Sequence, residues 1–453
     1  MSLRSFVRIT LPDPEAFSTL ITQHTGQEPT YPITGIATDS RECDTGDLYV
    51  ALKGEKTDGH QFIPQALENG VVASLVEHEI LVSNGMDFFV VKNVLETMGS
   101  LACSWRRQFD IPVIGITGSN GKTTTKELLK HIFANKEHVH ATTGNYNTSI
   151  GLPLTLLQLA YEHTVSIIEM GANQPGDIEY LCDVAEPTHG LITNIAPAHL
   201  EGFGSIEEVA RTKGALFNIL EDGIAFVNMA DEQIRGLNIR GDSITYGLTP
   251  NCDFPADIHH EEDGTITVTI DAEEIVTGSH NLSFVKNIIA ASAIAIHLGI
   301  DWNTFREKVK SFQAPQGRCE VKHLNDITII DDTYNANLTS TLAAIDYLKA
   351  FSGNGRRVLV FGDMFELGDG SAAHHRQIGE HCIAMELDAV FSTGNETTTT
   401  DNALNDSVYH QHFDSKQDLL TSLKKWIEAG DKLLVKGSRG MTMETIIEGL
   451  ANN

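Results

Sequence analysis

Positive charge is scarce in this sequence. There are 32 Lys and Arg against 61 Asp and Glu, a formal net charge of −29. A surface of that sign repels a phosphate backbone, which excludes nucleic acid and anionic membranes as partners. It does not exclude an anionic small molecule, because backbone N–H groups with a Lys or Arg can bind phosphate locally. Cysteine is sparse too. Cys43, Cys103, Cys182, Cys252, Cys319 and Cys382 are scattered, with no CxxC pair and no His at zinc spacing. That distribution implies free thiols in a reducing compartment. No apolar run approaches the ~18 residues that span a bilayer. The N-terminal stretch 1–15 lacks the long apolar core of a signal peptide. The expectation is a soluble, cytoplasmic, monomeric protein with small-molecule partners and no membrane span.

What is present is ordinary globular material, with 41% hydrophobic and 21% charged residues, so disorder is excluded. At ~150 residues per domain the chain accommodates about three domains. Patterning predicts an α/β fold in three parts. Residues 1–109 form a small α/β unit, with strands at 47–52 and 88–91 and a short helix at 62–69. Residues 110–313 form a central P-loop-type parallel-sheet unit. Its strands fall at 113–117, 165–169, 190–194 and 224–228, with helices between them. Residues 265–270 alternate polar and apolar, as a half-exposed antiparallel strand does, and a helix follows at 285–298. Residues 314–453 alternate again. Strands at 327–331, 358–362, 389–393 and 432–436 and helices at 339–348, 373–384, 419–429 and 443–450 predict a Rossmann-like unit.

The strongest chemical signal is Thr117-Gly118-Ser119-Asn120-Gly121-Lys122-Thr123-Thr124. An apolar strand leads in, and a helix with Leu128, Leu129, Ile132 and Phe133 on one face leads out. The glycines let successive N–H groups point at phosphate, and the helix adds its positive end. Lys122 can reach the β- and γ-phosphates, and the Thr123 hydroxyl can ligate Mg²⁺. The common P-loop has glycine five residues before its Gly-Lys pair; here that residue is Ile116.

Other candidates stand at strand ends, where α/β proteins bind ligands. Glu169 closes one predicted strand and is either a Mg²⁺ ligand or a solvated strand end. His199 follows another strand and, by itself, reads as a structural or solvated loop histidine; it becomes a candidate because it falls at the same sheet edge as Glu169. Lys213 falls within the apolar stripe Ile206, Val209, Ala210, Phe217 and Leu220. It is either a lysine snorkelling at the edge of that stripe or an inward one with altered ionisation. In the last unit the run Asp331-Asp332-Thr333-Tyr334-Asn335-Ala336-Asn337 follows a strand. Arg318 precedes that strand, and Lys436-Gly437-Ser438-Arg439-Gly440 follows the last one. Together they make a second half-site facing the loop.

TGSNGKTTT, IIEMGAN, NIAPAHLEGFGS, TKGALF and IDDTYNAN, in this order, resemble the Mur ligases of peptidoglycan synthesis, and the likeness runs from about residue 34 to 440. TGNYNTSIGLPLT, AHLEGFGS and FGDMFELG look like the branch of the family that joins D-alanyl-D-alanine to UDP-N-acetylmuramoyl-tripeptide. The Asp-Asn-Pro-Arg motif typical of the ligase adding the third residue does not occur. The resemblance implies a first domain for the UDP-sugar, a central ATPase, a last domain closing over ATP and amine, and ATP with Mg²⁺ as cofactors. It implies that Lys122 neutralises the γ-phosphate, that Thr123 and Glu169 hold one Mg²⁺, and that His199 and a carbamylated Lys213 hold a second. Asn287, Arg318 and Asp332 would contact the nucleotide, with Tyr334 nearby. Asn145, Asn147 and Thr148 would face the muramoyl peptide, and Thr38, Asp39, Ser40 and Arg41 its UDP end. Lys436, Ser438 and Arg439 would lie near the acyl phosphate or the incoming dipeptide. The family's His-Asn pair usually stands nearer to the nucleotide-contacting Asn than His280-Asn281 stands to Asn287. Two other readings remain: a ligase adding a single amino acid, including a folyl-polyglutamate synthetase, and a P-loop ATPase switch.

Overall fold

The computed structural model describes residues 8–54, 57–79, 85–351 and 353–452, so the start of the N-terminal stretch read above lies outside the described residues. The strands form three sheets in chain order, of five, nine and six strands. In the first, Arg8–Thr10, Gly35–Ala37, Asp47–Val50, Ala73–Val76 and Asp87–Val90 lie side by side, with only the first pair antiparallel. The helix Val94–Arg106 ties this sheet to the next unit. Its buried Trp105 donates Nε1–H to the Leu159 carbonyl at 3.0 Å, and the Arg106 guanidinium caps the carbonyls of Ala185, Glu186 and Phe109.

The large sheet positions the site. Val113–Thr117 lies between His189–Ile192 and Val165–Glu169, parallel to both. Val139–Ala141 adds beyond Val165–Glu169. Ile224–Asn228, Asp242–Gly247 and Phe254–His260 add in parallel beyond His189–Ile192. The chain therefore builds first to one side of Val113–Thr117 and then to the other. Such a reversal opens a crevice at the carboxyl ends of the strands. All five residues of Val113–Thr117 and of Val165–Glu169 are buried, as expected of a parallel sheet covered on both faces.

Ile266–Ile270 pairs antiparallel with Phe254–His260 and Glu273–Ser279, as its alternation predicted. Ile266, Val268 and Ile270 join the core under helix Leu282–His297, while on the other face Thr265 and Thr269 are half-buried and Thr267 alone is buried. The predicted strand 190–194 stops at Ile192, because Thr193 and Asn194 turn to hold the glycine loop.

The last sheet runs Glu320–Leu324, Ile327–Asp332, Lys432–Lys436, Arg357–Gly362, Ala389–Thr393 and Tyr409–Phe413, antiparallel only at the first pair. The architecture is three α/β domains. Among the described residues no helix is long and apolar enough to cross a membrane.

Candidate active site

The loop leaves Val113–Thr117 through Gly118, where φ is +140° and a Cβ would sit 2.0 Å from the Thr193 hydroxyl oxygen. Only glycine fits both constraints. The turn after Ile192 then clamps the loop. Ser119 N–H donates to the Asn194 carbonyl at 2.9 Å, and Asn120 N–H to the Asn194 side chain at 3.1 Å. The Thr193 hydroxyl and Asn194 amide both donate back to the Asn120 carbonyl. Helix Lys122–Phe133 starts with no side-chain cap, so its first N–H groups are free to meet an anion. Asn287 leans over the loop: a Cβ on Gly121 would lie 2.6 Å from its Oδ1. That places Asn287 at the loop despite its spacing from His280-Asn281.

The Lys122 ammonium folds back to donate to the Gly118 carbonyl at 2.7 Å. Burial pushes its pKa down, with Glu169 opposing. Glu169 is buried and accepts from the Thr123 hydroxyl at 2.9 Å and the Asn147 amide at 2.9 Å. Its own N–H donates to the Thr142 hydroxyl. Lys126, wholly buried, stands 3.9 Å from the Glu169 carboxylate and donates to the Thr142 carbonyl.

His199 begins the short helix Leu200–Phe203 in a left-handed conformation, φ +53°. Its Nδ1 is paired with Glu366 Oε2 from the last domain. Burial lowers its pKa most, Glu366 opposes, and Lys122 and Lys213 add to the lowering. Lys213 lies on helix Ile206–Ile219, which starts at the Ser205 cap. It is 2% exposed, so it points inward and does not snorkel. Its ammonium lies 5.7 Å over the Phe203 ring, and among the described residues no carboxylate reaches ion-pair distance. Burial, followed by repulsion from Lys122, brings its pKa down to about 7.

On the facing wall, Asp332 ends the strand Ile327–Asp332 and accepts from the Lys436 ammonium at 2.5 Å and from Cys319 N–H at 3.1 Å. Lys436 is buried and also donates to the Asn335 carbonyl. The Arg318 guanidinium stacks 3.9 Å over the Tyr334 ring. Ser438 accepts from Phe365 N–H, and Arg439 pairs with Glu444. Asn337 reaches across to the loop, its amide 2.8 Å from Asn120 Oδ1.

Between these walls lies a cavity of about 1760 Å³. Ser119 to Thr124, Asn145, Asn147, Thr148, Glu169, His199 and Asn287 line it from the central domain, and Arg318, Asp332, Tyr334, Lys436, Ser438 and Arg439 from the last. Thr117, Gly118 and Lys213 do not line it. Thr117 is buried with its hydroxyl on the Met170 carbonyl. The structure does not bring Thr38, Asp39, Ser40 and Arg41 to this cavity. They lie in the first domain, where Arg41 pairs with Asp39 and Ser40 donates to Gln65.

The residues fit a nucleotide with Mg²⁺. An uncapped helix start and a lysine suit phosphate, while a hydroxyl beside one carboxylate suits a Mg²⁺ that takes its remaining oxygens from phosphate and water. Sequence reasoning missed Thr193, Asn194, Lys126 and Glu366. Asn194 had a usable signal, standing just past a strand at the reversal of the sheet. Glu366, in an irregular loop of the last domain, had no periodic signal at all.

Comparison with known proteins covers most of the chain. The Mur ligase family catalytic domain matches residues 32–106, the Mur ligase middle domain 116–295, and the Mur ligase glutamate ligase domain 317–439. UDP-N-acetylmuramoyl-tripeptide–D-alanyl-D-alanine ligases of Synechocystis and Haemophilus influenzae are 36% and 37% identical. Each comparison covers 92% of this chain, with 92% and 93% of the relative. Among solved structures, MurF from Acinetobacter baumannii superposes with a TM-score of 0.89 at 30% identity, over 96% of this chain and 98% of that one. MurF ligase from Thermotoga maritima in complex with ADP gives 0.82 at 30% identity, over 92% and 96%. Fold and sequence agree over more than nine-tenths of the chain, and the chain belongs to the Mur ligase family.

Proposed function

We propose that this ATP-dependent ligase joins D-alanyl-D-alanine to UDP-N-acetylmuramoyl-tripeptide, forming one amide bond as ATP becomes ADP and phosphate. One observation carries the reading: a single cavity is walled by the glycine loop on one side and by the Asp332–Lys436 pair and Arg318 on the other. Nucleotide and amine can meet there. The relatives that match end to end carry this activity in their names.

In this reading Ser119 to Thr124 hold the phosphates, Thr117 and Gly118 shape the loop from behind, and Asn287, Arg318, Asp332 and Tyr334 hold the rest of the nucleotide. Thr123 and Glu169 would hold one Mg²⁺, and His199 with a carbamylated Lys213 a second. Bound Mg²⁺ supplies charge neutralisation at the phosphates. Lys213 suits carbamylation because only a neutral amine attacks CO₂, and burial brings its pKa to about 7. Asn145, Asn147 and Thr148 orient the muramoyl peptide, Thr38 to Arg41 its UDP end, and Lys436, Ser438 and Arg439 the acyl phosphate or dipeptide.

The peptide carboxylate attacks the γ-phosphorus and the bond to the ADP oxygen breaks, with Lys122 and the loop N–H groups stabilising the spreading charge. The dipeptide amine then attacks the acyl carbon, loses a proton, and phosphate leaves. We divide the chain at 109/110 and 313/314, a division supported by one sheet falling in each part. We also read the enzyme as a cytoplasmic monomer; both walls of the cavity coming from one chain supports the monomer. A peptide carboxylate labelled with ¹⁸O tests the route. One ¹⁸O is expected in the released phosphate, and unlabelled phosphate refutes the acyl phosphate.

A further inference from the structure

His199 and Glu366 stand 167 residues apart in sequence and meet across the gap between two domains. Both are held where residues other than glycine are rare, with φ +53° at His199 and +62° at Glu366. The contact is wider than one pair. Glu201 N–H donates to the Glu366 carbonyl at 3.3 Å, and a Cβ on Gly368 would lie 3.8 Å from the Glu201 Cα. The turn 199–201 and the loop 366–368 are thus seated on each other. Yet the Glu366 side chain is 58% exposed, and an exposed ion pair adds little stability. Two unfavourable backbone conformations are out of proportion to that gain. What the contact does supply is orientation. With Nδ1 taken by a carboxylate, the imidazole holds its proton there, and its Nε2 lone pair becomes the free one. Among the described residues Nε2 has no hydrogen-bond partner, and His199 lines the cavity.

We propose that Glu366 is a positioning residue for Mg²⁺: it fixes the tautomer and ring angle of His199 so that Nε2 faces the metal. The inference rests on the reading of His199 as a Mg²⁺-holding residue. The carboxylate comes from the last domain and the imidazole from the central one, so the arrangement is complete only when the two are together. Metal binding and closure of the last domain then favour each other by the same factor.

The test uses the full-length enzyme with ADP and Mn²⁺ as the probe, free Mn²⁺ being counted by electron paramagnetic resonance. E366A is expected to weaken Mn²⁺ binding about 10- to 100-fold, the usual effect of losing such an outer partner. E366Q, isosteric and still able to accept from Nδ1–H, keeps most of the affinity and guards against misfolding. In an H199A background E366A adds no further loss. Mn²⁺ binding unchanged in E366A but weakened in H199A overturns the proposal and leaves the reading of His199 standing. H199A binding Mn²⁺ like the wild type refutes that reading and the proposal with it. A loss from E366A that persists in H199A also overturns the proposal, by making Glu366 a metal contact in its own right.

Discussion

Replacing Lys213 by Met should make the protein more stable while abolishing ligation, and the gain should fade as pH rises. The ordinary lysine value is 10.5, and burial brings Lys213 down to about 7. Between those values the unfolded chain keeps the proton and the native state releases it, so native stability rises with pH across that window. Below pH 7 the lysine imposes its full cost, about 5 kcal/mol at 1.36 kcal/mol per unit. At pH 9 about 2 kcal/mol remains, and above pH 10.5 nothing. Met removes the ammonium that lies over Phe203 and keeps an apolar side chain of similar length. Scanning calorimetry in CO₂-free buffer should show the variant melting higher at pH 7 and the difference shrinking by pH 9. For a domain of this size 1 kcal/mol moves the midpoint by about 2–4 °C. Bicarbonate should then raise the wild-type midpoint, since a carbamate forms only on the native lysine, and leave the variant where it was. A variant no more stable than wild type, or a gain that does not change with pH, refutes the inward, neutralised lysine.

Other substitutions read the remaining parts of the site. Lys213→Ala should lose ligation and regain part of it with a short carboxylate in solution; no rescue, with unmodified lysine found in the wild type by crystallography, counts against the carbamate. Lys122→Ala should cut kcat at least about 10²- to 10³-fold even at saturating ATP, because it removes a group aimed at developing charge. Near-normal turnover would sink the loop assignment. Gly121→Ala puts a Cβ 2.6 Å from Asn287 Oδ1 at φ +84° and should raise the KM for ATP. An unchanged KM would show that the loop tolerates a side chain there and would remove Gly121 from the phosphate site.

How much was legible in the sequence depended on how local the signal is. The strand, loop and helix at 113–133 announce themselves through β-branched residues, glycines that the backbone needs, and an apolar helical face. Lys213 was readable because it interrupts a stripe, and its burial in the structure excludes snorkelling. Glu169 was readable as a strand end, and in the structure it accepts from the Thr123 hydroxyl. Contacts between loops were not readable. Asn194 clamping Asn120, Asn337 reaching Asn120, and Glu366 on His199 join segments without periodicity, far apart in sequence. Short edge strands such as Val139–Ala141 and Tyr409–Phe413 escaped too, because a few residues between turns carry too little pattern. Thr267 misled for the opposite reason. A polar residue in an alternating strand reads as exposed, whereas Thr267 is buried between its half-buried neighbours Thr265 and Thr269.

The central claim is the choice of amine. Purified enzyme is incubated with ATP, Mg²⁺ and UDP-N-acetylmuramoyl-tripeptide, and phosphate release and product mass are followed with D-alanyl-D-alanine or with single amino acids. The account predicts phosphate release that depends on the dipeptide, one phosphate for each product heavier by one D-alanyl-D-alanine less water. Equal phosphate release without any amine, or ligation of a single amino acid in preference to the dipeptide, contradicts it.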